Sequence, residues 1–152
     1  MNFNNNNKVC IILRGVSGSG KTTVSEYLSY LYNRGIGTPA ENKLCVVCSA
    51  DEYFVNETGE YKFDRQKIGH AHNYCRNKFE NALNLNAELI IISNTSCSEK
   101  EIQPYIDRAR EANYLIISLV IENRHGSENI HGVPTDTLIG QEQRLRNSIK
   151  LI

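Results

Sequence analysis

The run Gly15-Val16-Ser17-Gly18-Ser19-Gly20-Lys21-Thr22 has residue types and a spacing suited to holding phosphate oxygens. It fits G-x-x-x-x-G-K-[ST] between a strand-like and a helix-like segment, the setting this motif needs. Glycines let backbone N–H groups turn inward around an anion with no Cβ in the way. The helix N-terminus adds its partial positive charge. Gly15, Ser17, Gly18, Ser19, Gly20, Lys21, Thr22 and Thr23 are therefore expected to cradle a nucleotide. Lys21 should reach the β- and γ-phosphates and Thr22 should ligate magnesium, so ATP and Mg2+ are the implied ligands. The alternative is a Gly-rich turn that matches by chance, and the strand–helix setting argues against it.

A candidate acid follows the second apolar run, in "SADEYF". Asp51 there can accept the proton of an attacking hydroxyl or help hold magnesium. An isolated turn acid is more often simply solvated, but Asp51 follows a buried strand beside the cradle. Glu52 reads as structural or exposed. His70 and His72 are poorly spaced to share a metal, because residues i and i+2 of a helix do not share a face. His72 shares a face with Ile68 and Cys75 and is expected to be packed and hydrogen-bonded. Cys45-x-x-Cys48 has no second pair, and its apolar surroundings suggest packed thiols.

These residues need elements to position them. "KVCIIL" (Lys8 to Leu13) reads as a buried strand, and Val24, Tyr27, Leu28 and Leu31 mark an amphipathic helix from Lys21 to Arg34, stopped by Gly35. The loop "GIGTPAEN" leads to a second strand, "LCVVCS". A helix from about Arg65 to Leu85 follows, with Asp64 as N-cap and a buried stripe of Ile68, Ala71, Cys75, Phe79 and Ala82. "ELIIIS" is a third strand. Ser98 and Glu101 form a capping box for a helix to about Ala112, with Pro104 late enough to kink it or shift its start. "YLIISLVIE" is a fourth strand, and Pro134 suits the first turn of a last helix bearing Leu138, Leu145 and Ile149.

Strands alternating with helices predict an α/β fold, a parallel sheet of about four strands with helices on both faces. Ligands of such sheets bind beyond the carboxyl ends of the strands. The Gly-rich loop, Asp51-Glu52, Ser93-Asn94-Thr95 and Asn123-Arg124 should converge there.

The chain of 152 residues suits one domain, expected over residues 8–152 after a disordered Asn-rich tail of residues 1–7. Net charge is zero, so any polynucleotide must be held by a local groove and not by an overall basic field. No apolar run approaches the ~20 residues that span a bilayer, and the N-terminus lacks the pattern of a secretory signal. Five cysteines then suggest reduced thiols and a cytoplasmic setting.

"RGVSGSGKTT", "SADEYF", "YKFDRQKIGHAHNYC", "IIISNTS", "IQPYIDRAREANY" and "NIHGVPTDTL" resemble, in order and spacing, the P-loop polynucleotide 5′-hydroxyl kinases. The likeness is to the phage-type enzymes and, more closely, to the kinase-like domain that some eukaryotic ubiquitin-ligase-binding proteins carry. It covers the chain from Lys8 onward. The resemblance implies a P-loop kinase fold and γ-phosphoryl transfer from ATP to the 5′-OH of RNA or DNA ends. It further implies that Lys21 and Thr22 hold phosphate and metal, that Asp51 is the general base, and that His131–Pro134 belongs to the lid and last helix. The chain departs from the pattern at "SNTS", where Ser93 and Asn94 replace a carboxylate-bearing motif. Phe54 stands where the phage-type enzymes have an arginine, and the lid arginine expected near Glu128 has Arg124 as its nearest candidate, with Arg144 and Arg146 as backups. The missing substrate-side arginines keep a small-molecule or nucleoside kinase open. The missing carboxylate keeps a non-catalytic nucleotide- or nucleic-acid-end-binding module open.

Overall fold

The computed structural model describes residues 8–34, 44–126 and 131–152. The expected Asn-rich tail, the loop "GIGTPAEN" with its helix stop at Gly35, and Glu128 lie outside these residues. Strands β1 (Val9–Arg14), β2 (Cys45–Cys48), β3 (Leu89–Ser93) and β4 (Leu115–Val120) alternate with helices α1 (Lys21–Asn33), α2 (Ile68–Asn84), α3 (Glu99–Glu111) and α4 (Thr135–Ser148).

The four strands form one parallel sheet in the order β2-β3-β1-β4. Chain connections leave β1 toward β2 and leave β3 toward β4, so the crossovers diverge between β1 and β3. That divergence opens a crevice at the carboxyl ends of the two central strands. The Gly-rich loop follows one of them and Ser93-Asn94 follows the other.

Alternation along the strands divides the core. Cys10, Ile12, Cys48, Ile90 and Ile92 face the side covered by α2 and α3, through Ala71, Cys75, Phe79, Ile102, Tyr105 and Ala109. Leu13, Leu89 and Ile91 face α1, through Val24 and Leu28. All five residues of β3 are buried, as befits a central strand covered on both sides. Edge strand β4 departs from the expected double cover: Ile117, Leu119 and Val120 are exposed because α1 packs over β1, β2 and β3 instead. No helix among the described residues is long and apolar enough to cross a membrane.

The expected caps form with small shifts. Asp64 accepts from the Gln66 N–H at 2.9 Å, but the cap opens a short 3-10 turn, Arg65–Lys67, ahead of α2. Glu101 accepts from the Ser98 N–H at 2.8 Å, completing its half of the capping box. Pro104 lies inside α3, which keeps its start at Glu99. All five cysteines are free thiols, and only Cys45 is not fully buried.

Candidate active site

The cradle is shaped by what surrounds Gly15. Its N–H donates to the Thr95 carbonyl at 3.0 Å, and the Ile121 N–H donates to the Arg14 carbonyl at 2.7 Å, so loops after β3 and β4 grip the end of β1. A Cβ on Gly15 would lie 2.5 Å from Ser19 Oγ and 2.7 Å from the Ile121 carbonyl oxygen, a backbone atom that cannot move aside. Gly20 caps α1 with φ at 100°, in the left-handed region that glycine adopts freely. Lys21 is buried, and its Nζ donates to the carbonyls of Gly15 at 3.0 Å and Val16 at 2.8 Å. Burial pulls its pKa down to about 8, against opposing pulls from Cys97 and the Asp51 carboxylate.

Two buried polar residues brace the loop. Arg14 is 3% exposed and donates to the Ser96 carbonyl at 2.8 Å, the Ser148 carbonyl at 3.3 Å and Ser148 Oγ at 2.5 Å. From α4, Gln141 Oε1 accepts the Ser17 N–H at 2.8 Å, and its amide nitrogen donates to Ser17 Oγ at 3.2 Å. Sequence reasoning missed Gln141. A signal existed: it lies on the buried stripe of the last helix with Leu145 and Ser148, where an unpartnered amide would be costly.

Asp51 sits in the 3-10 segment Ala50–Phe54, just past β2. Ser49 Oγ accepts the Asp51 N–H at 3.2 Å, and Asn94 Oδ1 accepts the Ala50 N–H at 2.8 Å. Asn94 thus fixes the acid's backbone with a neutral amide, where a carboxylate would have added charge. Tyr61 Oη donates to Asp51 Oδ1 at 3.4 Å, and its ring packs against His131 with centroids 5.5 Å apart. Glu52 pairs with Lys78 of α2 at 2.5 Å. A cavity of about 650 Å³ joins the two halves of the site, with Thr22, Ser25 and Glu26 on one wall and Asp51, Tyr61, Ser93 and His131 on the other. Thr23 is exposed and lines no part of it.

The cations lie differently from expectation. Arg124 is exposed and ion-paired with Glu122 two residues before it. The neighbouring His125 instead lies on the cradle, its Nε2 3.1 Å from the Gly18 carbonyl oxygen and its ring about van der Waals distance from where a Gly20 side chain would begin. Arg144 and Arg146 are exposed on α4, with Arg146 paired to Glu142 at 2.7 Å. His72 corrects a sequence expectation: it is exposed, because α2 packs through Ala71, Cys75 and Phe79, one residue out of register with it. Among the described residues no group of three or more His, Cys, Asp or Glu side chains could hold a metal ion. The oxygen donors of Thr22 and Asp51 suit instead a magnesium that keeps waters and takes most of its protein-independent ligands from phosphate.

A family model described as AAA domain matches residues 10–126. Human NEDD4-binding protein 2 is 30% identical over 109 residues, which is 72% of this chain. The chain spans about 6% of the length of that relative. Among solved structures, a mutant of the Mycobacterium tuberculosis APS kinase CysC aligns over 93% of this chain and 96% of its own, with a TM-score of 0.51 at 15% identity. That likeness shows a shared P-loop kinase fold. With the match running from the first strand through the cradle and past the fourth strand, the chain belongs to the AAA-domain family.

Proposed function

We propose that this chain transfers the γ-phosphoryl group of ATP to a hydroxyl, the 5′-OH of a nucleic-acid end. One observation carries the reading: a single cavity is lined both by Thr22 of the cradle and by Asp51. The inward N–H groups and Lys21 hold and neutralise the phosphates. The acceptor hydroxyl enters from the cavity, and its oxygen bonds to the γ-phosphorus as the bond to the β,γ-bridging oxygen breaks. Its proton passes to an Asp51 carboxylate oxygen, and ADP leaves. Thr22 and Asp51 would hold the magnesium that accompanies the nucleotide and supplies charge neutralisation. The resemblance in "GHAHNYC" and "HGVP" supports a 5′-OH end as acceptor.

A second reading, a small-molecule or nucleoside kinase, is favoured by the same cavity. Among the described residues its lining includes Glu26, Asp51 and Glu52 but no lysine or arginine. Incubation with γ-labelled ATP, magnesium and either 5′-OH oligonucleotides or nucleosides separates the two. Label on oligonucleotides is the expected result. Label on nucleosides alone would sink the first reading, and ATP binding without any transfer would leave a nucleotide-binding module.

A further inference from the structure

A second cavity, of about 340 Å³, lies between α2 and α3, and among the described residues it shares no lining with the cavity of Thr22 and Asp51. Its walls carry His72 and Arg76 from α2, Asn94 and Ser96 from the loop after β3, and Lys100 from α3. Among the described residues Glu101 is its only carboxylate, and that group accepts from the Ser98 N–H at 2.8 Å and from Ser98 Oγ at 2.7 Å. Arg76 donates to Asn73 Oδ1 at 2.8 Å, and no hydrogen bond or ion pair among the described residues engages His72 or Lys100. The space therefore carries a surplus of positive charge.

Ser96 supplies the second observation. It is 2% exposed, with φ at 50°, in the left-handed region that serine rarely enters. Its carbonyl accepts from Arg14 Nε at 2.8 Å, which holds this conformation from behind. Its hydroxyl has no hydrogen bond among the described residues, yet no fully buried polar side-chain atom among them lacks a partner. The Ser96 hydroxyl therefore meets the open space of the cavity it lines. Strained residues held in this way mark ligand sites. A hydroxyl, a guanidinium fork and an ammonium together match the oxygens of a phosphoryl group. The volume admits a phosphate with a small organic body.

From this set of donors we infer that the α2–α3 cavity is an effector site for a small phosphate-bearing anion, separate from the nucleotide and from the acceptor. The loop along its wall shows what occupancy does. Asn94 Oδ1 accepts the Ala50 N–H at 2.8 Å, the Thr95 carbonyl accepts the Gly15 N–H at 3.0 Å, and the Ser96 carbonyl holds Arg14. Three consecutive residues thus brace the segment of Asp51, the cradle and the end of β1. An anion that fixes Ser96 from the cavity side stiffens this loop, and the nucleotide then meets a cradle already ordered. The coupling is reciprocal: the anion tightens ATP binding by the factor that ATP tightens the anion's. Nothing in this depends on which hydroxyl accepts the phosphoryl group.

The test fills the cradle with a non-hydrolysable ATP analogue and magnesium, then titrates inorganic phosphate or glycerol 3-phosphate while following the NMR signals of His72, Arg76 and Ser96. Glycerol and sodium chloride at matched ionic strength are the controls. Saturable shifts with the phosphates and none with the controls are expected, and the tighter of the two tells free phosphate from a phosphate ester. Arg76 and Lys100 are exposed, and the double variant Arg76→Gln, Lys100→Gln should raise the Kd by about tenfold or more. Ser96→Ala should raise it by roughly threefold to tenfold. Saturating glycerol 3-phosphate should tighten the analogue's own Kd by about fivefold in the wild type and leave it unchanged in the double variant. No saturable shift at these residues overturns the site, and so does equal affinity in the double variant. Shifts with an oligonucleotide but with neither small phosphate overturn it in favour of a nucleic-acid contact. Binding that leaves the analogue's Kd unchanged, or weakens it in both proteins, overturns the effector role. Should the analogue fail to bind, the cradle reading fails separately, and the cavity signals still decide this one.

Discussion

Tyr61 Oη donates to Asp51 Oδ1 across 3.4 Å while the Tyr61 ring packs on His131, so one side chain ties the candidate base to the segment opening the last helix. Burial, then the neighbouring Asp51, pushes the phenol up to about 12, which keeps it a proton donor at any working pH. Removing the hydroxyl leaves the carboxylate without one orienting bond. Tyr61→Phe should lower kcat by roughly threefold to tenfold, the equivalent of one hydrogen bond, and leave ATP affinity unchanged. A loss of ATP affinity with kcat intact would show that Tyr61 serves the nucleotide and not the acid.

Asp51 itself tests the chemistry. In Asp51→Ala the proton acceptor is gone, and transfer should fall by about a hundredfold or more. The cradle atoms are untouched, so ATP affinity should stay within about twofold to threefold by calorimetry. Wild-type turnover in this variant would remove Asp51 from the mechanism.

Lys21 predicts a pH dependence with a definite sign. Its pKa is lowered to about 8 by burial, whereas an ordinary lysine titrates near ~10.4. In the free protein it is charged below about pH 8 and loses its proton above. Phosphate favours the charged form, so binding above that pH must take up a proton, and affinity should fall by up to about tenfold per unit as pH rises. Stability of the unliganded fold moves the other way. The cost of the buried charge is fully present below about pH 8 and is relieved as pH rises toward the ordinary lysine value. Calorimetry at pH 8.5 in buffers of different ionisation heat should reveal the proton uptake, and Lys21→Met should abolish it along with tight binding.

Which parts were legible follows from the range of the forces involved. The cradle was readable because its glycines and Lys21 are set by local backbone geometry, and the strands because every residue of β3 is apolar up to Ser93. Asp51 and Thr22 line one cavity because parallel topology brings strand ends together. His72 is exposed where packing beside Ile68 and Cys75 is expected, because the buried face of α2 centres on Ala71, Cys75 and Phe79 and leaves Ile68 exposed as well. Gln141 and His125 were not found, since both act on the cradle from more than a hundred residues away, and only folding reveals such contacts.

His125 gives the direct test of that gap. Its ring lies on the Gly18 carbonyl, while Arg124 is occupied by Glu122 at the surface. His125→Ala should raise the Kd for ATP by roughly threefold to tenfold through the lost contact and a looser loop. Arg124→Ala removes only an exposed pair and should change the Kd by less than about twofold. The reverse order of effects would restore Arg124 to the phosphate site.

Arg14 predicts a stability effect distinct from any catalytic one. It is a buried cation whose guanidinium joins the end of β1 to the loop after β3 and to the last turn of α4, with carbonyls and a hydroxyl and no carboxylate as partners. Replacing it by methionine fills most of the volume but strands the carbonyl oxygens of Ser96 and Ser148 away from water, while Ser148 Oγ still donates to that of Cys97. Leaving buried acceptors unpaired costs about 1–3 kcal/mol each when nothing else reaches them, and partial relaxation should bring the total to about 3 kcal/mol. For a chain of this size that lowers Tm by roughly 6–12 °C. Because the anchored loop carries Gly15, ATP should restore part of the lost stability by binding only the folded form. Thermal melts of Arg14→Met with and without ATP check both parts, and a variant as stable as the wild type would show that water replaces the guanidinium without cost.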